Sequence, residues 1–201
     1  MPTQLAAVQD QSTRRFGFKD VVPGIHNYGR LVAAIDWLSK AGLILRVPVC
    51  NHAETPIAAF TKENHFRLFM FDVGLLGAML SLPPAALMNY GFGTYKGFIA
   101  ENFVAQELVA SRHDAKLFGW TEGTAEIEFL LQGQTGAVPV EVKSAQRVRA
   151  QSLRSYIAKY KPSTSVIISG RESASVTDNA SGCVHVSVPL YLVPTTWRFT
   201  K

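Results

Sequence analysis

In Val138-Pro139-Val140-Glu141-Val142-Lys143 the residue types read as a strand. A side-chain period of two sets Glu141 and Lys143 on one face, with Val140 and Val142 pointing into the opposite layer. A carboxylate and an ammonium side by side at the end of an interior strand must be paired or solvated, because isolated buried charge is costly. Phosphodiester hydrolysis uses that combination: carboxylate oxygens hold Mg2+, the metal lowers the pKa of a bound water, and a lysine steadies charge on the attacked phosphate. The second carboxylate must come from a neighbouring strand, and Glu128 on the preceding one is placed to give it. A Glu–Lys pair alone is common on surface strands. The acidic strand before this one and the basic stretch after it are what give it weight.

Glu101 adds to the set, since it shares a helix face with Phe98, Val104, Ala105 and Leu108. It reads either as a carboxylate at the edge of the core, satisfied by backbone or an arginine, or as a helix acid aimed at the strand-end site. From 143 to 161 the chain carries Lys143, Arg147, Arg149, Arg154, Lys159 and Lys161 and no acid. On charge alone that is a solvated helix face. Beside an acid–lysine set it is also a surface for phosphates, with Arg147, Arg149 and Arg154 as nucleic-acid contacts. The formal net charge of +5 leans mildly toward an anionic partner.

The elements that must position these residues follow from periodicity. Asn27 introduces a helix whose Leu31, Ile35 and Leu38 recur at i, i+4, i+7, and Gly42 stands where it should end. Strands are expected at 43–49, 57–60 and 67–71, then a helix capped by Asp72 and halted at Pro83-Pro84. Helix, strand, loop, strand is the order of a winged-helix unit, although Asp36 between Arg30 and Lys40 weakens the basic face a DNA-reading helix needs, which tilts this segment toward packing. Gly91 and Gly93 mark a boundary, dividing the chain into 1–92 and 93–201. The second part reads as a long helix over 95–111, a short strand at 117–120, and a strand at 126–131. In that last strand Glu126, Glu128 and Leu130 are expected on one face and Ile127, Phe129 and Leu131 on the other. A turn from Gly133 to Gly136, the Glu-Val-Lys strand, a helix with Leu153, Tyr156, Ile157 and Tyr160 on one stripe, and strands at 165–169 and 184–188 complete an α/β layer with a mixed sheet.

Several classes are set aside. No run of 18 apolar residues occurs, and the first ten residues lack the basic-then-apolar pattern of a signal peptide. Cys50 and Cys183 show no metal or disulfide spacing and fit a reducing cytoplasm. The five histidines are scattered without HxxxH or HExxH pairing, and no GxxxxGK[ST] loop occurs, so no ATP site is expected in this chain.

Five segments appear in succession: Phe66-Arg67-Leu68-Phe69-Met70-Phe71-Asp72-Val73-Gly74-Leu75-Leu76, Glu101-Asn102-Phe103-Val104-Ala105-Gln106-Glu107-Leu108, Ala125-Glu126-Ile127-Glu128-Phe129-Leu130, Pro139-Val140-Glu141-Val142-Lys143-Ser144 and Ser152-Leu153-Arg154-Ser155-Tyr156. Their order resembles the domain-of-unknown-function 4143 family, found as the C-terminal half of AAA-type ATPases, over residues 18 to 192. The resemblance implies a restriction-endonuclease-like PD-(D/E)xK fold behind a winged-helix-like region, and association with an AAA-type ATPase module. It implies Glu101 as the helix acid, Glu128 as the first metal acid, and Glu141 with Lys143 as the Glu-x-Lys pair. The family usually has Asp where Glu128 stands, and the extra methylene moves the carboxylate by about 1.5 Å, a displacement that catalysis tolerates poorly.

Three functions remain open at this point. One is a Mg-dependent DNA endonuclease, with metal on Glu128, Glu141 and the Val142 carbonyl. Another is a non-catalytic nucleic-acid-binding or regulatory module in which the same residues form an ion-pair network. The third is a protein-docking module for an ATPase partner.

Overall fold

The structure, a computed structural model, describes residues 22, 24, 27–83, 85, 96–143 and 151–201. Helix α1 (Tyr28–Lys40) starts where expected: the Asn27 side chain accepts from the Arg30 amide at 3.1 Å. It also stops where expected. Gly42 takes φ 72°, and the Gly42 and Leu43 amides donate back to Ser39 and Leu38 carbonyls, both at 3.0 Å. That paired closure satisfies the carbonyls a helix end leaves open, and glycine takes the left-handed conformation at no steric cost.

Strand β1 (Ile44–Cys50) pairs antiparallel with β2 (Thr61–Met70). The strand expected at 57–60 is instead a 3-10 turn, Ile57–Phe60. Of these four residues only Ile57 is buried, so no two-residue alternation exists to support a strand; the Thr61 hydroxyl donates to the Ala58 carbonyl at 2.9 Å and closes the turn. Asp72 caps the short α2 (Val73–Met79), its Oδ1 accepting from the Leu75 amide at 2.6 Å. Then come α3 (Lys96–Ala110), β3 (Leu117–Glu122), β4 (Ala125–Gln132), β5 (Ala137–Val142), α4 (Gln151–Tyr160), β6 (Thr164–Ser169), β7 (Ala174–Thr177), β8 (Val184–Pro189) and a run of 3-10 turns, Leu190–Thr200.

These strands form one mixed sheet in the order β2-β1-β3-β4-β5-β6-β8-β7. The chain is therefore α/β, as its pattern of elements indicates. The helix–strand–loop–strand order of the first part is present, and its hairpin is bonded into the same sheet as the second part through parallel pairing of β1 with β3. On one face, Val104, Ala105 and Leu108 of α3 and Val193 of the C-terminal turns pack on Phe129, Leu131, Val140, Val142, Val166 and Ile168. On the other, Leu153, Tyr156 and Ile157 of α4 pack on Phe118, Trp120, Ile127 and Leu130. A third cluster joins α1 and α2 to β1 and β2 through Leu31, Ile35, Ile44, Phe66, Leu68 and Leu76. Covered on both faces, β5 has all six residues buried.

The alternation expected along β4 breaks. Phe118 pairs with Leu130 but Trp120 with Ile127, so Glu128 and Phe129 together oppose Gly119. This bulge shifts the parity of everything beyond it: Ile127 packs with Leu130 on the α4 face, while Phe129 and Leu131 face α3. Gly119 permits the close approach. A Cβ there would meet Val49 Cγ2 at 3.3 Å and the Glu128 carbonyl at 3.5 Å.

Candidate acid and lysine site

The bulge also creates the site. Strands β4 and β5 pair from Gln132/Ala137 to Phe129/Val140 and then part, β4 following β3 while β5 runs on beside β6. In the gap the Val142 amide donates to Glu128 Oε2 at 3.1 Å, so a side-chain carboxylate takes the place of a ladder carbonyl. Glu141 lies on the face opposite Val140 and Val142, and its Oε1 is paired with the Lys143 ammonium. Lys143 stands one residue past the strand, anchored by its amide to the Ile168 carbonyl at 2.8 Å. The structure thus gathers Glu128, Glu141, Val142 and Lys143 at one strand end.

Glu101 is buried on α3, on the stripe with Val104, Ala105 and Leu108 that faces the sheet. The neighbouring Asn102 fixes this helix to β2, its amide group accepting from the Met70 amide at 2.7 Å and donating to the Met70 carbonyl at 3.0 Å. Arg147 and Arg149 lie outside the described residues. Arg154 is exposed on α4. Lys159, in the stretch that carries no acid of its own, is paired with Glu122 of β3, which raises its ammonium above the ordinary lysine range.

One residue of the site was not singled out from sequence. Arg67 of β2 is 0% exposed; its guanidinium donates to the Glu128 carbonyl at 3.3 Å and pairs with Glu126 at 3.2 Å. The available signal was an arginine inside the apolar run Phe66 to Met70, whose neighbours on both sides are buried. Elsewhere, burial pushes the Cys50 thiol up to about 11 and raises the Tyr156 hydroxyl, so neither serves as a nucleophile near neutral pH.

The donor set does not fit Mg2+ as it stands. That ion takes an octahedral oxygen shell and keeps several of its waters. Glu128 and Glu141 are each 2% exposed, one already accepting the Val142 amide and the other paired with Lys143. Among the described residues no group of three or more His, Cys, Asp and Glu side chains converges as a metal-holding set.

No curated protein and no solved structure matches the chain. A family model does match, from the first turn of α3 to just past β8, and so spans Glu101, Glu128, Glu141 and Lys143 but not Arg67. Over residues 96–191 the chain is similar to the family described as Domain of unknown function (DUF4143).

Proposed function

We propose that this protein is a nucleic-acid-binding module of nuclease-like architecture, in which the acid–lysine set holds strands together and does not cleave. The observation that carries the reading is the Glu128–Val142 bond. The carboxylate a nuclease would reserve for a metal is engaged in closing the gap between β4 and β5. Glu141 and Lys143 neutralise each other beside it. The arginines that follow Lys143, namely Arg147, Arg149 and Arg154, then serve as phosphate contacts. No helix among the described residues is long and apolar enough to cross a membrane, and both cysteines are free and buried, which suits a reducing cytoplasm.

The test is fluorescence anisotropy of labelled duplex and single-stranded DNA between about 50 and 200 mM salt. Affinity is expected to fall steeply with salt, and the Arg147→Ala, Arg149→Ala, Arg154→Ala triple variant should lower the log–log slope by up to about three. Binding that is absent, or indifferent to salt, would overturn the proposal. Mg2+-dependent cleavage that Glu141→Ala abolishes while the fold survives would replace it with the endonuclease reading.

A second reading, docking of an AAA-type ATPase module, is favoured by one observation. Leu43, Phe71, Leu75 and Met79 are all more than a third exposed, with Phe71 bonded to Leu43 through the backbone at 3.3 Å. Salt-indifferent binding to such a module, with no nucleic acid bound, is the outcome that would favour it.

A further inference from the structure

Strands β1 and β3 are parallel neighbours whose chains leave in opposite directions, β1 turning outward to β2 and β3 turning the other way to β4. Two connections diverging from adjacent carboxyl ends leave a crevice between them. In open sheets with parallel strands that point of divergence is where ligands bind. A cleft of about 400 Å3 opens there, lined from β1 and the loop after it by Val49, Asn51 and His52, and from β3 by Thr121 and Glu122, with Phe60, Lys62 and His65 closing it from the β2 side.

The lining has a definite chemistry. Lys62 and the two imidazoles supply cationic or neutral donors, and the Asn51 amide a further donor. The carboxylate of the lining, Glu122, is paired with Lys159, which offsets its charge at the rim. Phe60 and His52 meet edge to face at 5.7 Å, placing two rings at the cleft. An anion carrying a planar ring satisfies both halves of this lining, and the volume lies in the range of small-molecule clefts, roughly 300–1,000 Å3. Thr121 is registered against Glu126, so the crevice lies on the same end of the sheet as the acid and lysine site.

We infer that this crevice is a nucleotide subsite, taking a phosphate on Lys62 and the histidines and stacking a base on Phe60 and His52. The inference deepens the nucleic-acid reading and rests on it for the source of the nucleotide, a unit of a bound strand. The same chemistry would accept a free mononucleotide.

The experiment titrates the full chain with 5′-AMP, following histidine imidazole signals by NMR. His52 and His65 should shift while His113 and His185 stay in place. Lys62→Ala and His52→Ala change exposed residues, so the fold is expected to persist, with circular dichroism as the check. Each should weaken 5′-AMP binding, Lys62→Ala by about tenfold for a lost charge-assisted bond. In parallel, a labelled oligothymidylate should lose affinity in Lys62→Ala, and the Arg147→Ala, Arg149→Ala, Arg154→Ala triple variant should lose oligonucleotide but keep 5′-AMP. Unmoved His52 and His65 signals, or 5′-AMP affinity unchanged in Lys62→Ala, overturn the inference, whereas salt-dependent oligonucleotide binding would leave the nucleic-acid reading standing. Shifts at His52 and His65 with no oligonucleotide bound at any salt would uphold the crevice for a free nucleotide and remove the strand as its source.

Discussion

Arg46 and Arg67 stand on adjacent strands of one hairpin and live in opposite surroundings. Arg46 is about a fifth exposed and meets Asp36 at 3.0 Å, the Tyr28 hydroxyl at 3.1 Å, and the Phe66 ring 4.4 Å from its centroid. Water reaches this cluster, so the loss of any one partner is partly made good by solvent. Arg67 has no such recourse. It is fully buried, holds Glu126 and the Glu128 carbonyl, and its Nε has no hydrogen-bond partner among the described residues. The pair teaches that one side chain type has two uses here. On the outer cluster it decorates packing that would exist anyway. Inside, it carries the link between the N-terminal hairpin and the bulged strand on which the acid site depends.

The sharpest way to break that comparison is truncation of each arginine. Arg67→Ala removes a fully buried guanidinium from half-buried Glu126 and from the Glu128 carbonyl, and should cost about 3 kcal/mol in urea unfolding. If it costs no more than the same change at Arg46, burial is not what separates them. Next in size is Glu128→Ala, which leaves the buried Val142 amide without its acceptor and should cost about 1–3 kcal/mol. Glu128→Gln keeps an acceptor oxygen and should lose less, with the Val142 amide staying protected from hydrogen exchange in that variant alone. The smallest effect is expected for Arg46→Ala, about 1 kcal/mol from a partly exposed ion pair and a cation–π contact. Part of that loss should vanish in high salt, because exposed charges are screened, while the Arg67→Ala loss should barely change.

Much of the fold was legible from residue types. Asn27, Gly42 and Asp72 act through local rules of capping and termination, and each does what its position requires. The stripe Leu153, Tyr156, Ile157, Tyr160 forms α4 because helical spacing alone puts those residues on one face. What escaped was non-local. The bulge at Glu128 and Phe129 depends on Gly119 of a different strand, and no reading of β4 by itself reveals it. Nothing near Arg67 in the sequence names its partner, because the sheet brings Glu126 to it from 59 residues away. The turn at 57–60 looked apolar enough for a strand, but its two alanines have too little side chain to demand one. At the site, Glu141 and Lys143 pair as the Glu-Val-Lys spacing indicates, and Glu128 reaches the same strand end from the preceding strand. That Glu128 is bonded to the backbone was beyond reach, because the gap it fills arises only when β4 and β5 part.

The pairing of β1 with β3 rests on Val49/Gly119 and Cys50/Trp120, yet it separates β3 from solvent along that side. The family segment begins at residue 96, after the strand that covers β3, and ends at 191, before the turns that bring Val193 and Trp197 onto α3. Cut out along those limits, it would present the unpaired backbone of Leu117 to Trp120, flanked by buried Phe118 and Trp120, as a template for any other extended chain. The N-terminal hairpin is thereby a guard against self-association: the fragment should scatter light and sediment as aggregates under conditions in which the full chain stays monodisperse.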